Sequence, residues 1–281
     1  MSGRAKVALV TGATDGIGKA AAKTLARRGW EVVVSGRSRA RCDATVAEVL
    51  AAAPGARVSA AVGDLSRMAG VRDVAASFLA SHERLDALVL NANAITQDHT
   101  ITPDGFEANL AIGYLGRALL AWELEGALAR ADRAQVISVV GLNLERLDLD
   151  DPSTARGFSS MKALGRWQWA AQVFAREWNR RGLPATNVYM PGLVRTKILA
   201  NEPQPMRLFV QIASAIMGVP VDRGGEELAT VVEEVRDRGH RDEYFARTRK
   251  KPRRDLGDRP GDGERLWALT ERMLAPFRRP A

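Results

Sequence analysis

The chain has 281 residues, of which 46% are hydrophobic and 26% charged, and its formal net charge is +8. This is the composition of an ordinary globular protein, and the length allows a full core without covalent cross-links. The single cysteine, Cys42, excludes an intramolecular disulfide framework and a cysteine-based zinc cluster. No secretory signal precedes the first apolar run, and no apolar stretch approaches the roughly 20 residues that span a bilayer. We therefore expect a cytoplasmic protein without a membrane partner.

The positive charge raises the question of a nucleic-acid or anionic partner. Lys250, Lys251, Arg253 and Arg254 crowd a segment that is rich in glycine, proline and aspartate. The sequence has no contiguous basic face with interleaved aromatic residues, so nucleic-acid binding is not expected. The basic C-terminal segment, about 240–281, is interpreted as a solvated part of the surface.

Strands and helices alternate along the first two-thirds of the chain. Short apolar runs predict six strands, at residues 6–11, 31–35, 57–62, 85–90, 134–140 and 185–190. Apolar residues at helical spacing predict helices at 18–28, 39–53, 71–81, 102–129 and 154–181. Repeated strand–helix–strand units imply a parallel sheet with helices on both faces, because parallel strands need crossover connections. The predicted fold class is α/β, a doubly wound parallel sheet in a single domain, residues 1–281.

The alternation breaks down at residues 197–222. Within this segment, residues 208–217 are amphipathic. A helix placed after the sixth strand can cover a substrate site or complete the core. Both interpretations remain open, and we expect 197–222 to be the substrate-covering segment.

The turn between the first strand and the first helix reads GATDGIG, residues 12–18. Gly12 permits a tight turn, Gly16 lets the backbone approach a pyrophosphate, and Gly18 lets the helix pack closely on the strand. The N-terminus of the helix adds free N–H groups and a positive dipole end. In the first strand–helix turn of a long α/β pattern, this spacing predicts a dinucleotide site and a Rossmann-type sheet.

Arg37 follows the second strand and bears on the choice of nucleotide. NAD-binding sites usually carry an acid here, which holds the 2′-hydroxyl of the ribose. Arg37 instead offers a planar fork that can pair with a 2′-phosphate. Asp15, inside the turn, is a mild objection to this choice, because a carboxylate makes no favourable contact with an extra phosphate. We predict that the cofactor is NADP(H) rather than NAD.

These motifs resemble the short-chain dehydrogenase/reductase family over nearly the whole chain. TGATDGIG resembles the cofactor motif of the family, Asp64-Leu65 its adenine-contacting pair, and Asn91 a residue that supports the cofactor. The sequence PGLVRT resembles the segment that contacts the nicotinamide carboxamide. The resemblance assigns further cofactor contacts to Thr14, Ile17, Lys162, Pro191, Gly192 and Thr196. The DGFE segment, PGLVRT and the C-terminal end look like the retinol-dehydrogenase-like branch, which mostly prefers NADP(H).

In this family, hydride transfer depends on an asparagine, a serine, a tyrosine and a lysine. Ser138 matches the serine that hydrogen-bonds the substrate carbonyl. Lys162 matches the lysine that binds the nicotinamide ribose and lowers the pKa of the tyrosine. The tyrosine position, one helical turn before the lysine, holds Phe158. The catalytic set predicted by the resemblance is therefore Ser138 and Lys162, with Phe158 in place of the acid.

The asparagine of the set is also missing from its expected place. Aligning the DGFE segment and the following Leu115-Gly116 puts Gly113 at that position. Asn109 lies one turn earlier, and an alternative alignment assigns the role to it.

Loss of the tyrosine leaves three functions open, since a positioned general acid is worth about 10² to 10⁴ in rate. The first is an NADPH-dependent reductase of a small activated carbonyl, a quinone or conjugated ketone, with Ser138, Lys162 and a relocated hydroxyl from Tyr114 or Tyr189. The second is a non-redox cyclase, epimerase or dehydratase. The third is an NADP(H)-binding pseudoenzyme or regulatory partner. Retention of Ser138 and Lys162 favours the reductase. The arginine-rich composition is typical of secondary metabolism, where a polycyclic aromatic substrate is plausible.

The histidines do not indicate a metal site. His82, His99 and His240 lack the spacing of metal ligands. Asn143, in the loop after Ser138, is interpreted as a polar turn residue, with a pocket-lining role as the alternative.

The helix that carries Lys162 also contains Trp167, Trp169 and Trp178. The resemblance implies a homodimer in which this helix packs against its counterpart, so these residues are candidates for interface anchors. Packing in the core of one chain is the alternative.

Overall fold

The computed structural model describes residues 4–141, 144–194 and 218–278. Its strands are β1 (Val7–Thr11), β2 (Glu31–Gly36), β3 (Val58–Val62), β4 (Ala87–Leu90), β5 (Gln135–Val139), β6 (Ala185–Met190), β7 (Tyr244–Ala246) and β8 (Arg249–Lys251). Its α-helices are α1 (Gly16–Arg27), α2 (Arg39–Ala52), α3 (Met68–Leu79), α4 (Ala108–Leu110), α5 (Gly116–Glu123), α6 (Glu125–Ala129), α7 (Ser160–Arg180), α8 (Val221–Asp237) and α9 (Asp262–Leu274). A π-helical turn, Ala111–Leu115, joins α4 to α5.

The strands form one sheet in the order β3-β2-β1-β4-β5-β6-β7-β8. Neighbouring strands are parallel from β3 to β7, and β8 adds an antiparallel edge. The predicted α/β class with a doubly wound parallel sheet is confirmed. All residues of β1, β4 and β5 are buried, which is why continuous apolar runs marked these strands.

Helices cover both faces of the sheet. Side chains of α1 and α8 pack on one face, and those of α3, α5, α7 and α9 pack on the other. The contact between α1 and α8 is close because Gly225 has no side chain: a Cβ there would lie 2.6 Å from the backbone N of Ala21. The two layers fix the carboxyl ends of β1, β4 and β5 side by side, with Val10 opposite Val89 and Leu90 opposite Ser138.

The single helix predicted for residues 102–129 is wrong at its start and in its continuity. Gly105 adopts a φ of +85°, which belongs to a turn, and the backbone N of Thr102 donates to Phe106 O. The helix begins only after Glu107, whose carboxylate accepts hydrogen bonds from the backbone N–H groups of Asn109 and Leu110. The π-helical turn then interrupts it.

The helix predicted for residues 154–181 begins later than expected. Thr154 and Gly157 have φ values of +55° and +62°, so the chain turns twice before the helix. Ser159 is the N-cap, and its hydroxyl accepts from Lys162 N. Phe158 therefore lies outside the helix, and the expected one-turn relation between Phe158 and Lys162 does not hold.

The basic C-terminal segment is more structured than a solvated stretch. It supplies β7, β8 and α9, and residues such as Phe245, Leu266 and Trp267 are buried. The basic side chains themselves lie outside: β8 is exposed, and Lys250 pairs with Glu243 at 2.7 Å.

The tryptophans of α7 belong to the core. Trp167, Trp169 and Trp178 are at most 1% exposed within this chain, which favours core packing over an interface anchor. The indole N–H of Trp169 donates to Leu256 O at 3.0 Å and that of Trp178 to Pro184 O at 2.8 Å. Among the described residues, no helix has the length and apolarity required to cross a bilayer.

Candidate nucleotide-binding and active site

The glycine turn after β1 is built by close backbone contacts. Gly12 has a φ of +63°, and a Cβ there would lie 2.8 Å from Ala92 Cα. A Cβ on Gly18 would lie 2.5 Å from both Gly12 O and Asn91 Nδ2. Gly16 has a φ of +53° and opens α1. The Gly16 N–H donates to the Asp15 carboxylate, and the next N–H groups of α1 have no intrahelical acceptor and are available to an anion. The turn therefore fits the diphosphate of a dinucleotide.

Asn91 braces this turn from the neighbouring strand. Its Nδ2 donates to Thr11 O at 3.0 Å and to Gly12 O at 3.3 Å, and its backbone N donates to Thr11 Oγ1 at 2.9 Å. The role of Asn91 is thus to hold the glycine turn in shape from behind. Thr14, in the turn, is half-buried against Gly36.

The loop after β2 places two arginines beside the turn. Arg37 is exposed, and its guanidinium makes no hydrogen bond or ion pair with the described residues. Arg41, on the first turn of α2, donates to Asp15 Oδ2 at 3.3 Å and to Thr14 O at 3.4 Å. The Asp15 carboxylate also accepts from Gly16 N at 2.8 Å. Its charge is therefore paired with Arg41. The sequence prediction missed Arg41, although the alternation of arginines at 37, 39 and 41 was a signal.

The remaining expected cofactor contacts lie at the carboxyl edge of the sheet. Asp64 follows β3, and its Oδ1 accepts from the backbone N and the hydroxyl of Ser66 at 3.0 and 2.8 Å. Leu65 and Pro191 are buried, and Gly192 has a φ of +75°.

Three expected features cannot be placed in the same way. Thr196 and Asn143 lie outside the described residues, as do residues 197–217 with their amphipathic stretch 208–217. The end of the expected substrate-covering segment, 221–222, forms the start of α8. Ile17 lies on α1 and is half-buried. Its Cγ1 would be 3.6 Å from a Cβ built on Gly224.

Ser138 is placed by β5 at the carboxyl edge, one strand away from the residues that follow β4. Its side chain is 3% exposed. Nη1 of Arg117 approaches its Oγ at 3.5 Å. Ser138 is therefore buried at the carboxyl edge of the sheet, next to a guanidinium.

Phe158 and Lys162 lie around the N-terminus of α7. The Phe158 ring meets the His99 ring edge to face, with centroids 5.2 Å apart, and His99 Nε2 lies 2.9 Å from Ser153 O. Lys162 Nζ donates to Gly157 O at 2.8 Å. In this arrangement the lysine bonds the backbone next to Phe158, and the Phe158 ring packs against His99.

Gly113 is required by a neighbouring indole. A Cβ at this position would lie 2.6 Å from Trp167 Cγ. An asparagine side chain therefore cannot occupy position 113 beside Trp167. The alternative, Asn109, is fully buried: its Oδ1 accepts from Thr96 N at 2.8 Å, and its Nδ2 donates to Glu107 Oε1 at 2.7 Å. These bonds hold Asn109 in a local network.

Among the described residues, neither tyrosine suggested as a relocated acid makes a hydrogen bond to Ser138, which speaks against that role. The Tyr114 hydroxyl is hydrogen-bonded to Thr270 on α9, and burial raises its pKa. Tyr189 pairs with Val139 in the sheet and points to the face covered by α1 and α8, opposite to Ser138. Burial, followed by the nearby charge of Glu227, also raises the pKa of Tyr189.

Arg117 is the functional candidate that the sequence prediction missed. It is 4% exposed, and burial lowers its pKa to about 9. The signal was present: Arg117 is the only charged residue between Glu107 and Glu123. A single charged residue in an otherwise apolar helix lies either on the exposed face or at a buried site where specific partners hold it.

Comparison with known proteins agrees with this geometry. Residues 6–207 match the family described as short chain dehydrogenase. The chain is 31% identical over 199 residues to human retinol dehydrogenase 13, a match that covers 69% of this chain and 60% of the relative. It is 35% identical over 195 residues to a protein of Streptomyces sp. (strain C5) provisionally named daunorubicin C-13 ketoreductase DnrU, a match that covers 69% of this chain and 67% of the relative.

A solved structure shares the fold. The alcohol dehydrogenase from the archaeon Thermococcus sibiricus, complexed with 5-hydroxy-NADP, has a TM-score of 0.66 at 21% identity, covering 89% of this chain and 100% of that chain. The chain spans about 60% of the length of the human relative that it matches. Because the family match covers well over half of the sequence and includes the glycine turn, Ser138 and Lys162, this chain belongs to the short-chain dehydrogenase family, among relatives that include retinol dehydrogenases.

Proposed function

We propose that the protein is an NADPH-dependent reductase of a small activated carbonyl compound, a quinone or a conjugated ketone, and that it works without a tyrosine acid. The observation that carries this proposal is Ser138, held at the carboxyl edge of the sheet beside Arg117 and one strand from the loop that braces the glycine turn. A relative named as a ketoreductase supports a carbonyl substrate.

The cofactor would be held by the glycine turn, with Arg37 on the 2′-phosphate and Lys162 on the nicotinamide ribose. The fit rests on the cradle that a Cβ at Gly12 or Gly18 would fill. Pairing of Asp15 with Arg41 removes the objection that an unpaired acid faces the extra phosphate. When bound, the dihydronicotinamide supplies a hydride, which carries two electrons to the substrate.

Phe158 determines which substrates the site can use. The reaction consumes one proton, and Phe158 has none to give. A quinone or conjugated ketone spreads the new negative charge over a phenolate or enolate, so its oxygen can take a proton from water after the hydride has moved. Ser138 donates a hydrogen bond to that oxygen throughout. With NADP⁺, the products are the hydroquinone from a quinone, or, from a conjugated ketone that takes the hydride at its β-carbon, the saturated ketone once the enolate has gained a proton at its α-carbon.

The test is consumption of NADPH, followed by its near-ultraviolet absorbance, with phenanthrenequinone and with cyclohexanone as substrates. We expect turnover of the quinone and little turnover of the simple ketone. Substrate conversion without NADPH consumption would replace the proposal with a non-redox enzyme. NADPH binding without any turnover would replace it with a cofactor-binding pseudoenzyme, which Phe158 and the bond from Lys162 to Gly157 favour as the second candidate.

Arg37→Glu is expected to weaken NADPH binding by about 10- to 100-fold, the range for loss of a charge-assisted hydrogen bond, and to leave NADH binding unchanged or improved. Isothermal titration with both nucleotides measures this difference. Arg39→Glu is the matched control, because Arg39 is also exposed, two residues later at the start of α2, but is engaged by Asp43 at 3.5 Å. Equal losses for NADPH and NADH would refute the assignment of Arg37 to the 2′-phosphate.

The assembly implied by the family, a homodimer in the cytoplasm, is part of this proposal. The burial of Trp167, Trp169 and Trp178 means that any contact through α7 would use other side chains. Sedimentation of the purified protein measures the assembly directly.

A further inference from the structure

Arg117 is a buried cation whose charge has no counter-ion among the described residues. Its Nη1 donates to Val139 O at 2.7 Å, and its Nη2 donates to Ala92 O at 2.9 Å. The guanidinium carbon lies 4.8 Å from the centre of the Trp167 ring. Its Nε is buried without an acceptor in the described part of the chain. These contacts orient the guanidinium, but none of them neutralises it.

A buried charge held only by carbonyl dipoles and a ring face is costly. The pKa of Arg117 is lowered for this reason, because burial removes water from the guanidinium and disfavours its charged form. Helices elsewhere in this chain pair their half-buried arginines with acids: Arg236, for example, lies 3.1 Å from Asp86. Arg117 has no such acidic partner among the described residues, and it lies next to Ser138.

The contact between Arg117 and Ser138 has a defined polarity. A guanidinium has donors and no acceptor, so in this contact the Ser138 oxygen accepts. The single hydroxyl proton of Ser138 is therefore free to be donated elsewhere. Ser138 lies opposite Leu90, two residues before Ala92, and Ala92 packs against Gly12, so the Ser138 hydroxyl lies at the edge of the sheet that carries the glycine turn.

We propose that Arg117 is a positioning residue: it orients the Ser138 hydroxyl as a donor and stabilises a negative oxygen, phenolate or enolate, bound by that hydroxyl. The inference rests on the proposed function, because carbonyl reduction is what creates such an oxygen. Arg117 thus supplies, through Ser138, part of the electrostatic stabilisation that is lost with a phenylalanine at position 158.

The geometry explains why the neighbouring departures from the family pattern occur together. Trp167 fills the space beside Gly113, where a larger side chain would collide with it, and the same indole stacks on Arg117. Gly113, Trp167 and Arg117 therefore form one packed unit on the side of Ser138 that faces α5 and α7. An asparagine at 113 and this arginine–indole stack exclude each other.

The kinetic test compares Arg117→Met, Arg117→Lys and Ser138→Ala in phenanthrenequinone reduction. We expect Arg117→Met to lower kcat by about 10- to 100-fold with little change in KM, as for loss of a donor to an oxyanion. Arg117→Lys should recover much of that loss. In the double variant, Arg117→Met should add little to Ser138→Ala, because the arginine acts through the serine. Arg236→Met is the control for loss of a half-buried arginine, since its partner Asp86 precedes β4 at the opposite edge of the sheet.

A pH profile adds a signature that a purely structural role would not give. The groups in contact with Arg117 are Ser138, the carbonyls of Val139 and Ala92, and the Trp167 ring. Tyr114, whose hydroxyl is engaged by Thr270, lines the same cavity. Because burial lowers the pKa of Arg117 to about 9, we expect the residue to lose its charge as the pH rises above that value. We expect kcat to fall above about pH 9 in the wild-type protein, and this limb to be absent from Arg117→Met.

Binding of para-nitrophenol to the NADP⁺ complex tests the inference without turnover, because the visible absorbance of this probe appears only when it ionises. We expect at least a tenfold preference for the phenolate in the wild-type complex, equivalent to about one pKa unit, retained in Arg117→Lys and lost in Arg117→Met. If the quinone is not reduced but this Arg117-dependent preference is present, the proposed function fails and the inference stands. If Arg117→Met keeps the preference, or the wild-type complex has none, the inference is overturned whatever the activity.

Discussion

Phe158→Tyr is expected to raise the rate of cyclohexanone reduction by up to about 10² to 10⁴, the range contributed by a positioned general acid. The ring is already held against His99, so tyrosine adds an O–H to an existing contact surface. Lys162 Nζ bonds Gly157 O, one residue from the new phenol, and its charge favours the phenolate. The measurement is kcat/KM for cyclohexanone with NADPH in both proteins.

Phe158→Leu is the matched control, because it changes the ring without adding a donor. The gain should be confined to simple ketones, since a quinone already stabilises its own negative charge. If Phe158→Tyr binds NADPH as tightly as the wild type and still gains nothing with cyclohexanone, Phe158 is not the only missing element. The displaced start of α7 would then be the reason, because Phe158 and Lys162 do not share a helical turn.

The sheet and the glycine turn were predictable because their physical signals are local. Buried parallel strands are continuous apolar runs, and the turn of residues 12–18 needs glycine at Gly12 and Gly18 for backbone contacts alone. The helix starts were not predictable in the same way. Gly105 and Gly157 take left-handed φ values that the periodicity of nearby apolar residues conceals.

Only some of the residues of the candidate site could be predicted from the sequence. Ser138 and Lys162 stand in motifs, and Phe158 was identified by its distance from Lys162. Arg117 belongs to no motif, and its meaning comes from long-range packing against Val139 and Trp167. The sequence could not place the hydroxyls of Tyr114 and Tyr189 either, because the sheet face of a side chain and the partner of a hydroxyl depend on tertiary packing.

Gly18→Ala is expected to weaken NADPH binding by more than about 100-fold, the largest loss among the substitutions considered. The added Cβ would lie 2.5 Å from Gly12 O and from Asn91 Nδ2. Gly12 O belongs to backbone that already has a φ of +63°, so it cannot move without opening the turn. Moving Asn91 instead would break its bonds to Thr11 O and Gly12 O. Either adjustment displaces the N–H groups that would hold the diphosphate.

Gly126→Ala separates this effect from the general consequence of adding a methyl group to a helix. Gly126 lies in α6, where a Cβ would meet only Arg130 Nη1, at 3.7 Å. Alanine there should stabilise the protein by about 0.5–1 kcal/mol and leave NADPH affinity unchanged. Isothermal titration and thermal unfolding of both variants distinguish the two sites. If Gly18→Ala binds NADPH as well as Gly126→Ala does, the diphosphate does not lie on this turn, and the assignments of Arg37 and Ser138 to the same ligand fail with it.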